Sequence, residues 1–131
     1  MKRKYLKPLF FYLAIIYTTA LITVSVIRIK PETIEPVNFK NADKVFHFSV
    51  YFGLTILWQL YYYIKQENKK KGLSLKILLA IIGFGIVIEV VQDRLTNYRG
   101  FEYLDIVANT SGAILAFTLL LLLKPFYKLK L

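Results

Sequence analysis

The chain has 131 residues, 56% of them hydrophobic, and its mean hydropathy is +0.49. It carries a net charge of +10 and no cysteine, which excludes disulfides, thiolate chemistry and cysteine-based metal sites. The lysines flank long apolar runs and do not alternate with a stacking surface, so they indicate membrane topology and not nucleic-acid binding. The length allows a single domain over residues 1–131.

The first apolar run follows the basic segment MKRKYLK. It is too long for the apolar region of a typical signal peptide and no small-residue cleavage motif follows it, so we predict an uncleaved helix. Each of the four apolar runs has about 20 residues, enough for a helix to cross a hydrocarbon core about 30 Å thick. We therefore predict an all-α polytopic membrane protein, a compact bundle of four transmembrane helices over residues 8–27, 45–64, 73–92 and 104–123.

The connections set the predicted orientation. Pro31 and Pro36 indicate a non-helical loop over 28–43, and WQLYYY (58–63) resembles an aromatic belt at the opposite membrane interface. Twelve of the 18 Lys and Arg residues lie in the N-terminal segment, the 65–76 connection and the C-terminal segment. The positive-inside rule therefore places both termini in the cytoplasm.

Polar residues recur at helical spacing near the outer ends of three helices, so each set shares one face. Three faces at one depth predict a common site, because an ionisable side chain facing lipid costs at least about 2.5 kcal/mol. The sets are Asp43, His47 and Tyr51 on the second helix, Glu89, Gln92 and Asp93 on the third, and Asp105, Asn109 and Gly112 on the fourth.

Each of these residues also has a structural interpretation. Asp43 can simply stabilise a helix N-terminus, Asn109 can hydrogen-bond between helices, and the small residues Ala108, Gly112 and Ala116 are typical of close helix packing. A lone histidine, His47, without Cys or His partners gives no metal site, and no cofactor is predicted. Glu89 is a functional candidate, because ionisable residues within membrane spans usually mark functional sites.

Two arginines follow the third helix. Arg94 and Arg99 could neutralise the acids or hold a lipid phosphate. Glu89, His47 and Asp105 could alternatively supply acid–base catalysis, so the sequence leaves open whether the protein is an enzyme. The candidate ligand-binding residues are Asp43, His47, Tyr51, Glu89, Gln92, Arg94, Arg99, Asp105 and Asn109.

DKVFHFSVYFGL (43–54) and EVVQDRLTNYRGFEYLDIVANTSGA (89–113) together resemble the VanZ-like membrane proteins, named for an accessory protein of teicoplanin resistance. The family pattern has Pro-Gly where this chain has Asn97 and Tyr98, and a glycine where it has Ala116. The positions that match are Asp43, Lys44, His47, Phe48, Tyr51, Glu89, Gln92, Arg99, Asp105, Asn109 and Gly112.

This resemblance implies a multi-pass protein of the bacterial cytoplasmic membrane. We expect its outer polar site to bind the headgroup of an envelope lipid or a lipid-linked precursor and to lower susceptibility to teicoplanin-like lipoglycopeptides. The alternatives are an intramembrane enzyme acting on a phospholipid or a polyprenyl-linked precursor, and a purely structural polar network. The oligomeric state is left open.

Overall fold

The computed structural model describes residues 2–27, 42–65, 71–95 and 100–128. These residues form four helices: α1 (Lys2–Val26), α2 (Ala42–Lys65), α3 (Lys71–Leu95) and α4 (Tyr103–Lys128). The prediction of four helices is confirmed, and each extends a few residues beyond its apolar run at one or both ends. The outer loop predicted at 28–43 lies outside the described residues except at its last two positions.

Three of the helices are long and apolar enough to cross a membrane: Tyr5–Val26, Gly72–Leu95 and Tyr103–Leu123. The chain is therefore a multi-pass membrane protein. A helix satisfies its backbone hydrogen bonds internally, which is the condition for crossing hydrocarbon. The remaining helix, α2, contacts each of the other three helices.

Contacts with α1 and α3 hold α2 along its length. The Tyr17 hydroxyl donates to the Val50 carbonyl at 3.0 Å, and Trp58 Nε1 donates to Thr18 Oγ1 at 3.1 Å. Nearer the other end, the Gln59 side chain donates to the Ser74 carbonyl at 2.9 Å. Because three helices cover α2, its side chains make up much of the buried core.

The most extensive helix interface joins α2 and α4. At its centre Gly112 is buried, and a Cβ there would overlap the Phe48 backbone carbonyl. Ala113 and Ala116 next to it are fully buried. The sequence-based prediction that small residues serve close packing is confirmed, because only a residue without a side chain lets the two backbones approach this closely.

The aromatic segment of α2 corrects one interpretation. Tyr62 and Tyr63 are buried within the bundle, although the sequence predicted an aromatic belt facing the membrane interface. The Tyr63 hydroxyl lies 3.4 Å from Ser74 Oγ, which itself donates to Gln59 Oε1 at 2.7 Å. The belt interpretation was wrong at Tyr62 and Tyr63 because neighbouring helices cover this part of α2.

Candidate functional site

The polar faces of three helices meet at one end of the bundle. This is the end at which α2 and α4 begin and α3 terminates, so the first turns of two helices lie beside the last turns of the third. His47, Tyr51, Glu89, Gln92, Asp105 and Asn109, all predicted from the sequence, are buried there. We call this group, together with Asp43, Lys44 and Glu102, the polar cluster.

Lys44 carries the counter-charge of the polar cluster. Its ammonium pairs with Asp105 at 2.7 Å, with Asp43 at 2.5 Å and with Glu102. Burial by itself lowers the pKa of Lys44, but the hydrogen bonds that its ammonium donates to the three carboxylates outweigh it and raise that pKa above its ordinary value. The hydrogen bond with Lys44 lowers the pKa of Asp43. Both groups are therefore charged at neutral pH.

The same three carboxylates could in principle hold a metal ion. One oxygen of each of Asp43, Glu102 and Asp105 lies within 4.8 Å of the others, a spacing that suits oxygen ligands of a cation. The Lys44 ammonium lies among these oxygens and bonds to all three residues. A cation at this position would have to displace that ammonium.

His47 links α2 to α4 through both ring nitrogens. Nδ1 lies 3.0 Å from the Asn109 side-chain oxygen, and Nε2 lies 3.5 Å from an Asp105 carboxylate oxygen. An amide oxygen only accepts, so Nδ1 carries a proton and donates to Asn109. Since Nε2 faces a carboxylate, both ring nitrogens are engaged by side chains of α4, and His47 is better placed to orient its neighbours than to act as a general base.

Two acids of α3 hold the segment that leads into α4. Glu89 Oε1 accepts the backbone N–H of Glu102 at 3.0 Å, and Asp93 Oδ1 accepts that of Phe101 at 3.0 Å. These bonds satisfy backbone donors just before α4 begins, where no helical acceptor is available. Part of the role of Glu89 is therefore structural, as one interpretation of the sequence held.

Among the described residues, three buried polar atoms of the polar cluster have neither a hydrogen-bond partner nor an ion-pair partner: the Tyr51 hydroxyl, Glu89 Oε2 and Asn109 Nδ2. The three side chains are 2–3% exposed. They come from three helices and meet beside Gly85, where a Cβ would lie 2.9 Å from the Tyr51 ring and 3.4 Å from Asn109 Nδ2. Glu89 follows one turn later on the same face. Unpartnered buried polar atoms are rare in folded proteins, and such a group marks a candidate ligand site.

A cavity of about 220 Å³ lies beside the polar cluster, between α1, α2 and α3. We call it the α1–α3 crevice. Its wall is mostly apolar and includes Leu21, Val50 and Ile88. Its polar lining comes chiefly from the polar cluster, because His47, Tyr51 and Gln92 face it. Tyr51 therefore borders the crevice on one side and contacts Gly85 on the other.

The two arginines predicted as site residues are not part of the polar cluster that the structure describes. Arg94 is exposed at the end of α3, and within the described part of the chain it pairs with none of the carboxylates. Arg99 lies outside the described residues.

The sequence-based prediction of site residues omitted Lys44 and Glu102. Lys44 could have been found, because it lies one turn before His47 on α2. Glu102 precedes α4 in a connection, where no periodicity indicates which way a side chain points.

The fold and the polar cluster define a class of protein: a small multi-pass membrane protein in which, among the described residues, the buried carboxylates Glu89 and Asp105 and the buried His47 lie at one end of the helix bundle. The chain belongs to the VanZ/LLP1 family, whose model matches residues 4–124. The resemblance seen in the sequence is therefore confirmed and covers nearly the whole chain.

One similar protein is an uncharacterized protein of the fission yeast Schizosaccharomyces pombe. It is 36% identical over 104 residues, which are 79% of this chain. The matched region spans 59% of that relative's length. No solved structure matches the chain.

Proposed function

We propose that the protein binds the polar headgroup of a membrane lipid, or of a lipid-linked precursor, at the polar cluster on the outer side of the bacterial cytoplasmic membrane. The observation that carries this proposal is the set of unpartnered buried atoms on Tyr51, Glu89 and Asn109 beside an apolar crevice. A ligand with a polar end and a hydrocarbon chain complements both features.

In this proposal all four helices cross the membrane and both termini are cytoplasmic. The fourth span is supported by packing, because α1, α3 and α4 surround α2 and contact it from Val50 to Gln59. The orientation is supported by the excess of Lys and Arg at the termini and the 65–76 connection. A membrane-impermeant label at position 68 tests it: labelling of intact cells would reverse the assignment.

The charges of the polar cluster favour a headgroup that donates hydrogen bonds. Its carboxylates outnumber its cations within the described residues, and Lys44 is already bound by three of them. Glu89 Oε2 can only accept when ionised. An ammonium or a hydroxyl group therefore fits this end of the bundle better than a bare phosphate. Phosphatidylethanolamine carries such donors, whereas phosphatidylcholine does not.

The test is mass spectrometry of the lipids that co-purify with wild type and with Glu89→Gln. Gln keeps an oxygen that can accept the Glu102 N–H, so the fold should persist while the charge is lost. The matched control is Asp93→Asn, which alters a carboxylate making the same kind of backbone contact. We expect Glu89→Gln to lose the preference for ethanolamine over choline lipids and Asp93→Asn to retain it. If Glu89→Gln and Asp93→Asn show the same preference for ethanolamine over choline lipids, the proposal is refuted.

A relative in a yeast bears on the identity of the ligand. It favours a lipid found in both bacterial and eukaryotic membranes over a component of peptidoglycan. Lower susceptibility to teicoplanin would then follow in bacteria from an altered membrane surface. Expression of wild type should raise the minimum inhibitory concentration of teicoplanin, and expression of Glu89→Gln should not.

The second candidate function is an enzyme that acts on the same lipid. It is favoured by the unpartnered Oε2 of Glu89, which could accept a proton from a water or a substrate hydroxyl. Incubating the protein with phosphatidylethanolamine in isotope-labelled water distinguishes the two functions. Label in a released headgroup or lipid product would establish hydrolysis, and unchanged lipid that remains bound would favour binding alone.

A further inference from the structure

The α1–α3 crevice has an opening and a closed end of different chemistry. Along its lip, Val24 and Phe46 are 52% and 57% exposed. Its inner end is formed by His47, Tyr51 and Gln92, all buried. Because Val24 lies within the membrane-crossing span of α1, Tyr5–Val26, its exposed side chain faces hydrocarbon. The crevice therefore leads from the lipid phase to the polar cluster.

Helix packing explains why this crevice exists. The α1 helix packs against α2 and, less extensively, α3, while α2 and α4 pack tightly through Gly112. Two small residues of α1, Ala20 and Ser25, line the crevice together with Val50 and leave its volume unfilled. A mostly apolar cavity with a few convergent polar groups is typical of sites for amphiphilic ligands.

We infer that the α1–α3 crevice holds one acyl chain of a phospholipid whose headgroup lies at the polar cluster. This inference rests on the proposed function, to which it adds the position of the chain and entry of the ligand sideways from the bilayer. An acyl chain is the occupant that the surroundings favour, because it is the hydrocarbon that surrounds α1 and α3. Rotation of the Tyr51 side chain would open Glu89 and Asn109 to the headgroup.

A photo-crosslinking experiment tests the position of the chain. The full-length protein is placed in bilayers containing a phosphatidylethanolamine with a diazirine midway along one acyl chain, and the labelled residues are mapped by mass spectrometry. We expect labelling to concentrate on residues of the crevice wall such as Leu21 and Val50. Equal labelling of the lipid-facing sides of α3 and α4 would overturn the inference.

Two variants should fill the crevice. Ala20→Trp and Ser25→Phe each add bulk at its wall and should lower this labelling by about tenfold, the change that overpacking of this kind produces in an equilibrium. The control is Val87→Trp, at a position 57% exposed on α3 and outside the wall, which should leave labelling unchanged. Unchanged labelling in both filled variants, with helical content and melting temperature preserved, would also overturn the inference.

Further outcomes separate this inference from the headgroup proposal. If wild type prefers ethanolamine lipids but its labelling is uniform, the chain position is wrong and the headgroup site stands. If labelling is confined to the crevice but Glu89→Gln keeps the wild-type headgroup preference, the headgroup proposal fails alone. If a polyprenyl phosphate reduces the labelling and excess phosphatidylethanolamine does not, the occupant of the crevice is an isoprenoid chain and the inference of an acyl chain is wrong.

Discussion

Gly112→Ala should destabilise the protein through a single contact between helices. A Cβ at this position overlaps the Phe48 carbonyl, and it would also lie 3.0 Å from the carbonyl carbon. These are backbone atoms of a packed helix, so they cannot move aside as a flexible side chain would. The substitution must separate α2 from α4, and overpacking of this kind typically costs about 1–3 kcal/mol.

The damage should reach the polar cluster, because Phe48 follows His47 and Gly112 lies one turn beyond Asn109. Separating the helices would lengthen the 3.0 Å contact between His47 and Asn109. We therefore expect Gly112→Ala to lower both the melting temperature and the preference for ethanolamine lipids.

The assay is thermal unfolding of the purified protein in detergent, with Gly83→Ala as the matched control. Gly83 is also a helical glycine, but a Cβ there meets nothing within 4 Å among the described residues. Replacing it with Ala should be neutral or stabilise by up to about 1 kcal/mol. Equal melting temperatures for Gly112→Ala and Gly83→Ala would refute the close contact between α2 and α4.

Four further predictions concern stability. Lys44→Met should destabilise by about 1–3 kcal/mol, because it leaves the buried Asp105 carboxylate without its counter-charge, and Lys44→Arg should recover part of the loss in thermal unfolding. Gln59→Leu should cost about 1–3 kcal/mol of stability, because it removes the acceptor of the buried Ser74 hydroxyl. The double variant Gln59→Leu/Ser74→Ala should be more stable than Gln59→Leu alone. Additive losses in the double variant would contradict the pairing. Tyr51→Phe should leave stability unchanged or raise it by about 1 kcal/mol, since it removes a buried hydroxyl that has no partner among the described residues; a clear loss would reveal such a partner. The hydrogen bond with Lys44 lowers the pKa of Asp43, so this pair stabilises the protein above pH 3.8, the ordinary pKa of Asp, and the stabilisation is lost as the pH falls below that value. The melting temperatures of wild type and Asp43→Asn should therefore converge in acid.

Much of the fold could be predicted because its signal is contiguous in the sequence. Runs of about 20 apolar residues specify membrane-crossing helices by their length alone. Helical spacing then placed His47, Glu89 and Asn109 on inward faces at one depth, and the structure buries all three. Helical periodicity fixes the direction of a side chain relative to its own helix, so this part of the prediction did not depend on the packing.

Other features depended on which helices become neighbours. The sequence offered Arg94 and Arg99 as possible counter-charges or phosphate ligands. Among the described residues the counter-charge is Lys44, because α2 and α4 begin side by side. Gln59 and Ser74 lie 15 residues apart in different helices and show no joint pattern, yet they form a buried hydrogen-bonded pair. Nothing local in the sequence indicates such a pairing.

The sequence by itself determined the four helices, the membrane character of three of them, the polar faces and the family, because each is written in residue order and spacing. Only the tertiary structure decided which atoms pair within the polar cluster and which remain unpartnered. It also decided that α2 is the central helix and that a crevice lies between α1, α2 and α3. These properties follow from how closely helices can approach, and that distance is set between residues far apart in the chain, such as Gly112 and Phe48.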